Sequence, residues 1–281
     1  MKIGITASSG HLGASIVKQL LLIHEHKNII ALARTPAKAE NLGVEVREGD
    51  YNDKARFDEV LRDIDTVLLV SSMDRPDKRI EQHRNVINAA IQAGVKKIVY
   101  TSIHGHDKDF GFSPIVASNR QTEADIRSSG LNWAVGRNGL YIEPDVEYIE
   151  NYTKAGKITN CAGQGRCAYT TRDELGYAYA RMILEDKHNG RTYTLAGEPI
   201  TQQQLADFFN QAFGTALVYE TMTVEEFRAK RSAALGDFLG GIIAGIYESI
   251  LHGAMDVPSD YRQAAGRDHI SWKEYFKGLK K

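Results

Sequence analysis

The chain has 281 residues, enough to bury one sizeable α/β core with a smaller appendage. Its 35 basic and 36 acidic residues leave a formal charge of −1, which gives no long-range field to attract nucleic acid or an anionic membrane; small molecules or another protein surface are the expected partners. Only Cys161 and Cys167 are present, and MKIGITASSG holds no apolar run flanked by basic residues, so free thiols, no signal peptide and a cytoplasmic location are expected. The apolar stretch 235–255 is interrupted by Asp237, Glu248 and His252 and makes a poor bilayer span.

Short apolar runs at 2–6, 28–33, 44–48, 66–70, 97–101 and 133–137 predict strands with helical segments between them. Ile16, Val17, Leu20 and Leu21 give helical spacing over 13–23, and Val86, Ile87 and Ala90 give it over 79–93, ended by Gly94. This alternation predicts a doubly wound parallel sheet of the Rossmann-like kind over residues 1–141, with ligands beyond the carboxyl ends of the strands. Residues 142–281 read as a smaller, mostly helical lobe that shapes a substrate pocket. It has a glycine turn at 162–166, a helix at 172–185, a strand at 192–196, and helices at 201–213, 223–232 and 236–252. The segment near 171–197 is expected to pack back on the first domain.

The first strand runs into Thr6-Ala7-Ser8-Ser9-Gly10-His11-Leu12-Gly13, a turn that lets backbone approach a pyrophosphate at a helix N-terminus. Thr6, Ser8, Ser9, Gly10, His11 and Leu12 are therefore candidate dinucleotide contacts, although alanine stands at the first glycine position of the G-x-x-G-x-x-G pattern. After the second strand, where an NAD-specific site places a carboxylate, the chain offers Arg34, which suits the 2′-phosphate of NADP(H); a solvated loop residue is the alternative. Lys38 is a weaker assistant. Asp50 can accept from the adenine amino group and Tyr51 can cover the ring, or the pair forms only a turn before an Asn52 or Asp53 helix cap. Ser71, Ser72 and Met73 would run past the pyrophosphate and nicotinamide ribose.

TASSGHLG (6–13), ALARTPAKA (31–39), VREGDYND (46–53), HRNVINAAIQAGVKKIVYTS (83–102), RNGLY (137–141), TTRDELGYAYA (170–180) and YTLAG (193–197) together resemble the NmrA-like branch of atypical short-chain dehydrogenases. That branch includes bacterial type 2 NAD(P)H:quinone oxidoreductases and triphenylmethane dye reductases. The resemblance implies NADP(H) binding, a small C-terminal lobe over the nicotinamide, and hydride transfer to a quinone or similar conjugated acceptor. Two residues depart from it: Ala7 replaces a glycine, and Asn119 stands where relatives often carry a histidine in H-x-x-T-E.

Reversible alcohol oxidation in short-chain dehydrogenases uses Tyr-x-x-x-Lys, and residues 112–124 contain neither tyrosine nor lysine. A quinone tolerates that absence because its reduced oxygens take protons from solvent. Ser102, Ile103, Asn119, Asn138, Gly139 and Tyr141 are expected near the nicotinamide, with Tyr141, Asn119 and Asn138 as catalytic candidates and Ser102, Ile103 and Gly139 as cofactor contacts. Tyr141 orients or stacks on the acceptor, or packs between lobes; Arg137 is expected to be a structural anchor. His104 and His106 read as a solvated pair, and no metal site is expected. The leading function is an NADPH-dependent reductase of a quinone or related acceptor. The alternative is a non-catalytic NADP(H)-binding redox sensor, and a homodimer is left open.

Overall fold

The computed structural model describes residues 1–279. The first half of the chain runs through β1 (Ile3–Ile5), α1 (His11–Leu21), β2 (Ile29–Ala33), β3 (Glu45–Glu48), α2 (Lys54–Val60), β4 (Thr66–Val70), α3 (Pro76–Gln92), β5 (Lys97–Ile103), α4 (Ser113–Arg127) and β6 (Asn132–Asn138). Beyond it come β7 (Leu140–Tyr141), α5 (Glu143–Glu147), α6 (Ile149–Ala155), β8 (Lys157–Asn160), β9 (Arg166–Cys167), β10 (Tyr169–Thr170), α7 (Arg172–Leu184) and β11 (Arg191–Leu195). The last elements are β12 (Ile200–Thr201), α8 (Gln202–Phe213), β13 (Val218–Thr221), α9 (Val224–Leu235), α10 (Asp237–Leu251), α11 (Tyr261–Ala265) and α12 (Trp272–Gly278).

Seven strands form one parallel sheet in the order β11-β6-β5-β4-β1-β2-β3, so the predicted doubly wound architecture is present and the strand order reverses between β1 and β4. All five residues of β2 are fully buried, as expected of a parallel strand covered on both faces. One face is covered by α1 and α7, which bring Ile16, Val17, Leu20, Leu175, Ala178 and Met182 into a single core. The other face is covered by α2, α3 and α4 through Phe57, Val86, Ala90 and Ile126. Each such buried Ile, Val, Leu, Met or Phe side chain stabilises the fold by about 1.5–3 kcal/mol.

The second half builds its own core, in which Tyr152, Phe209, Trp272 and Phe276 pack with Ile158 and Leu205. Three of its helices begin where the sequence supplies reciprocal capping boxes: Thr201 with Gln204, Thr223 with Glu226 and Ser271 with Glu274. The segment 171–197 does return to the sheet, through α7 and through β11, which pairs with β6. A later segment returns as well. Tyr261 on α11 donates to the Glu174 carbonyl at 3.0 Å, Thr194 N donates to Asp260 at 2.9 Å, and Arg267 grips Glu174 at 2.7 and 2.8 Å. No periodicity marks this five-residue helix; a buried tyrosine and one bidentate ion pair hold it. Among the described residues no helix is long and apolar enough to cross a membrane.

Candidate active site

At the reversal point Thr6 ties three strands' ends together. Its N–H donates to Leu68 O at 3.0 Å, its Oγ1 accepts from Val70 N at 2.9 Å, and the same hydroxyl meets Tyr51 Oη at 2.5 Å. Ser8 is fixed from below, its Oγ donating to Ile5 O at 2.6 Å and its N–H to Leu32 O at 3.1 Å. The turn then exposes Ser9, Gly10 and His11, while Leu12 is buried as the first core contact of α1. Ala7 adopts φ +49°, a left-handed conformation that a glycine enters without strain and an alanine does not. Gly13 answers a different demand: a Cβ there would lie 2.5 Å from Ala7 O, so only glycine lets the helix sit this close to the turn. No side chain caps α1, and its leading N–H groups point out of the sheet edge with a partial positive charge. This uncapped cradle fits a pyrophosphate.

Arg34 leaves the end of β2 exposed, and among the described residues it has no ion-pair or hydrogen-bond partner. Asp50, after β3, accepts from the backbone and side chain of Asn52 through one oxygen, at 2.9 and 3.0 Å, in a side-chain-stabilised turn, and Asp53 caps α2. Tyr51 is a strut rather than an open ring. Its hydroxyl donates to Val70 O at 2.7 Å, its ring packs on Phe57 and His83, and burial raises its pKa further above the ordinary tyrosine value.

Below Ser71 and Ser72 lies a polar network that joins β4, α3, β5 and α4. Ser72 N donates to His83 Nε2 at 2.9 Å; on the other side of the ring Nδ1 lies 2.8 Å from Thr122 Oγ1, a hydroxyl whose own proton goes to Ser118 O. His83 is therefore a neutral ring protonated on Nδ1, and burial followed by the charge of Arg79 takes its pKa down to about 3. Asn119 is only 1% exposed. Its Oδ1 accepts from Tyr100 Oη at 2.6 Å and Ser71 Oγ at 3.0 Å, and its Nδ2 donates to Ile115 O at 2.8 Å. The amide thus holds Ser71 in place from beneath. Met73, by contrast, is 91% exposed at the rim.

At the end of β5, Ser102 donates to Glu123 at 2.7 Å and faces the helix layer, while Ile103 packs beside Phe112 and Val116. Glu123 also receives Arg120, Arg127 and Arg137 at 2.7–2.9 Å. Burial opposes its ionisation, but the hydrogen bonds of Arg137 and Ser102 and the charges of Arg120 and Arg137 prevail and bring its pKa down to about 2. Arg137 is the structural anchor the sequence suggests. The two histidines behave differently from a solvated pair: His106 is exposed, but His104 is 5% exposed and burial lowers its pKa to about 4. The reason is backbone geometry, since His104 N donates to Asn138 O at 3.1 Å and extends the β5–β6 ladder inward.

After β6, Tyr179 Oη donates to Asn138 Oδ1 at 2.6 Å, and Asn138 Nδ2 in turn donates to Tyr141 Oη at 3.2 Å. Tyr141 is half-buried with the Arg172 guanidinium 5.9 Å from its ring centre. Gly139 is packed by protein, because a Cβ would lie 2.3 Å from Ala168 O. The structure therefore brings the loop, Arg34, Asp50, Ser71–Met73, Ile103 and Tyr141 to one edge of the sheet. It places Thr6, Ser8, Tyr51, Ser102, Asn119, Asn138 and Gly139 in the layer that supports that edge. Sequence reasoning missed Arg79, His83 and Glu123 as members of the supporting layer. The available signal was position: Arg79, His83 and Val86 share the inward stripe of α3.

The sequence profile of the NAD(P)H-binding family matches residues 8–160. The chain belongs to this family. Quinone oxidoreductase 2 of Escherichia coli (strain K12) is 35% identical over 248 residues, which cover 86% of this chain and 85% of that protein. The crystal structure of the E. coli NADPH-dependent quinone oxidoreductase complexed with NADPH matches at a TM-score of 0.90 and 32% identity, covering 99% of each chain. Citrobacter sp. triphenylmethane reductase complexed with NADP(H) matches at 0.91 and 30%, covering 99% of this chain and 100% of that one. The negative transcriptional regulator NmrA with NAD, at 0.75 and 15% identity, shows the fold alone. The NmrA-like family read from the motifs is borne out, and the chain is an NAD(P)H-dependent oxidoreductase of this type.

Proposed function

We propose that this oxidoreductase uses NADPH in preference to NADH and reduces a quinone or similar conjugated acceptor. The observation that carries the cofactor preference is Arg34, an exposed guanidinium at the end of β2 that no carboxylate of the described residues engages. It is free to take a 2′-phosphate bidentately. Ser9, Gly10, His11 and the α1 amides would hold the pyrophosphate, and the uncommitted Asp50 oxygen would accept from the adenine amino group. Residues 1–141, with α7 and β11 packed back on them, supply this platform, and the other described residues beyond Tyr141 form the wall above it.

When bound, the dinucleotide supplies a hydride. The chain has to orient the acceptor and exclude alternatives. Tyr179 fixes Asn138, which fixes the Tyr141 hydroxyl, so Tyr141 presents a held ring edge to the acceptor. Asn119, its Oδ1 accepting from Tyr100 and Ser71 and its Nδ2 donating to Ile115 O, positions Ser71 and, as an amide, supplies no acid to the acceptor. The lack of Tyr-x-x-x-Lys in α4 favours an acceptor whose reduced oxygens are protonated by water. Relatives named for quinone and dye reduction support the same class. Purified protein with NADPH and a panel of simple quinones should consume NADPH. Tight NADPH binding with no consumption across the panel would instead support the sensor reading.

A further inference from the structure

We propose that Arg79 is the oxyanion-binding group of the acceptor site, its guanidinium receiving the negative oxygen that a conjugated carbonyl acceptor acquires on reduction. This rests on the reductase reading given above. Arg79 lies in the first turn of α3 and is 5% exposed. Its Nη2 donates to Ser71 Oγ at 2.6 Å, and its Nε has no partner. Among the described residues no carboxylate forms an ion pair with it, although Asp74 and Asp77 are close in sequence: Asp74 is turned to Gln82 instead, at 3.1 Å. Burial lowers its pKa, yet an arginine stays charged in a protein. The nearby α3 N-terminus carries charge of the same sign. A buried cation with no counter-ion is a standing destabilisation of the fold, and a hydrogen bond to one serine does not require it.

Its place in the sheet indicates which anion it serves. Arg79 reaches Ser71 after β4 and neighbours Tyr100 on β5, whereas the phosphate cradle and Arg34 belong to β1 and β2. With strands roughly 4.8 Å apart and only β1 between them, the ends of β2 and β4 stand about 10 Å apart, on opposite sides of the phosphate cradle. Arg34 marks the 2′-phosphate side of the cradle, and Arg79 lies on the other side, toward β5 and β6, where the nicotinamide and acceptor would sit. Ser71, half-exposed and tied to both Arg79 and Asn119, is the opening between the guanidinium and the cleft.

The chemistry then closes without a protein acid. The acceptor takes up a hydride, one proton with two electrons, from the reduced nicotinamide, which is left oxidised. The transferred hydrogen forms a bond to one carbonyl oxygen, the displaced π pairs shift through the ring onto the opposite oxygen, and the resulting hydroquinone monoanion takes its second proton from water, leaving hydroxide. A fixed guanidinium stabilises that monoanion more than the neutral quinone, which is the differential binding that accelerates a reaction.

The test is equilibrium binding by isothermal titration calorimetry with saturating NADP+. The probes are 2-hydroxy-1,4-naphthoquinone, an anion at neutral pH, and 2-methyl-1,4-naphthoquinone, which is neutral. The wild-type protein should prefer the anion by roughly ten- to hundredfold. Arg79→Met should abolish the preference while changing neutral-quinone affinity little, and Arg79→Lys should keep part of it. An anion preference that survives in Arg79→Met, or its absence from the wild-type protein, overturns the proposal. So does a loss of NADP+ affinity in Arg79→Met with the anion preference intact, which assigns the charge to the dinucleotide. If Arg79→Met does not fold, the wild-type and Arg79→Lys preferences decide. NADPH consumption with the neutral quinone is measured separately, so failed turnover with an Arg79-dependent anion preference refutes the reductase reading and leaves the anion site standing.

Discussion

Two buried charges sit at neighbouring strand ends and are treated in opposite ways. Glu123, beneath the ends of β5 and β6, is surrounded by Arg120, Arg127 and Arg137 and by the Ser102 hydroxyl. Arg79, beneath the end of β4, has one serine and no counter-ion. The protein matrix penalises both charges similarly, so the difference lies in who neutralises them. Where the neutralising groups come from the chain's own strands and helices, the charge belongs to the architecture. Where they are missing, the charge is available to a ligand, and its position names the part of the ligand that needs it.

The largest expected effect comes from breaking the paired side. Glu123→Gln leaves three guanidinium groups without their common partner and should destabilise the protein by about 3–5 kcal/mol in urea unfolding. A loss under ~1 kcal/mol would mean that the cluster is not part of the architecture. The pH dependence tests the same point. The folded pKa values of His83 (about 3, from 6.5) and Glu123 (about 2, from 4.5) both lie below their free values, so both contributions are complete above the free values and are lost on acidification. Stability should begin to fall as pH drops through 6.5, where the unfolded chain takes a proton that folded His83 refuses, and fall more steeply below 4.5 as Glu123 follows. Glu123→Gln should remove the lower step and keep the upper one.

Arg34→Ala should weaken NADPH binding roughly ten- to hundredfold and leave NADH binding nearly unchanged, with stability within about 0.5 kcal/mol because the residue is exposed. Equal losses for the two cofactors would remove the 2′-phosphate assignment. Ala7→Gly should relax the left-handed turn and raise the unfolding free energy by up to about 1 kcal/mol; a decrease would show that the turn does not bear the strain its φ implies. The unpaired side is expected to lose little stability. Arg79→Met should change the stability of the cofactor-free protein by less than about 1 kcal/mol, since the lost serine hydrogen bond is offset by removal of an uncompensated charge.

The central strands were legible because parallel strands buried on both faces leave unbroken apolar runs; the edge strand β3, Glu-Val-Arg-Glu, is only partly buried, and the six strands predicted before residue 141 all appear with ends shifted by at most two residues. The placement of the loop and of Arg34 was legible because it is local to a strand end. The supporting layer was not. Glu123 and its arginines converge from α4 and β6, and Asn119, Tyr100, Ser71 and Arg79 from four separate elements, so only tertiary structure joins them. His104 was misread for a related reason: its neighbours in sequence are polar, but a ladder bond to Asn138 draws it inward. Tyr51 looked like an open adenine cover because its hydroxyl contacts with Thr6 and Val70 lie 45 and 19 residues away.

The central claim, that the platform serves turnover with NADPH, is tested most directly by following NADPH and NADH absorbance with 2-methyl-1,4-naphthoquinone under identical conditions. The account predicts that NADPH is consumed one for one with the quinone, with a kcat/KM well above that for NADH. Saturable NADPH binding with no consumption of either cofactor, or a preference for NADH, would contradict it.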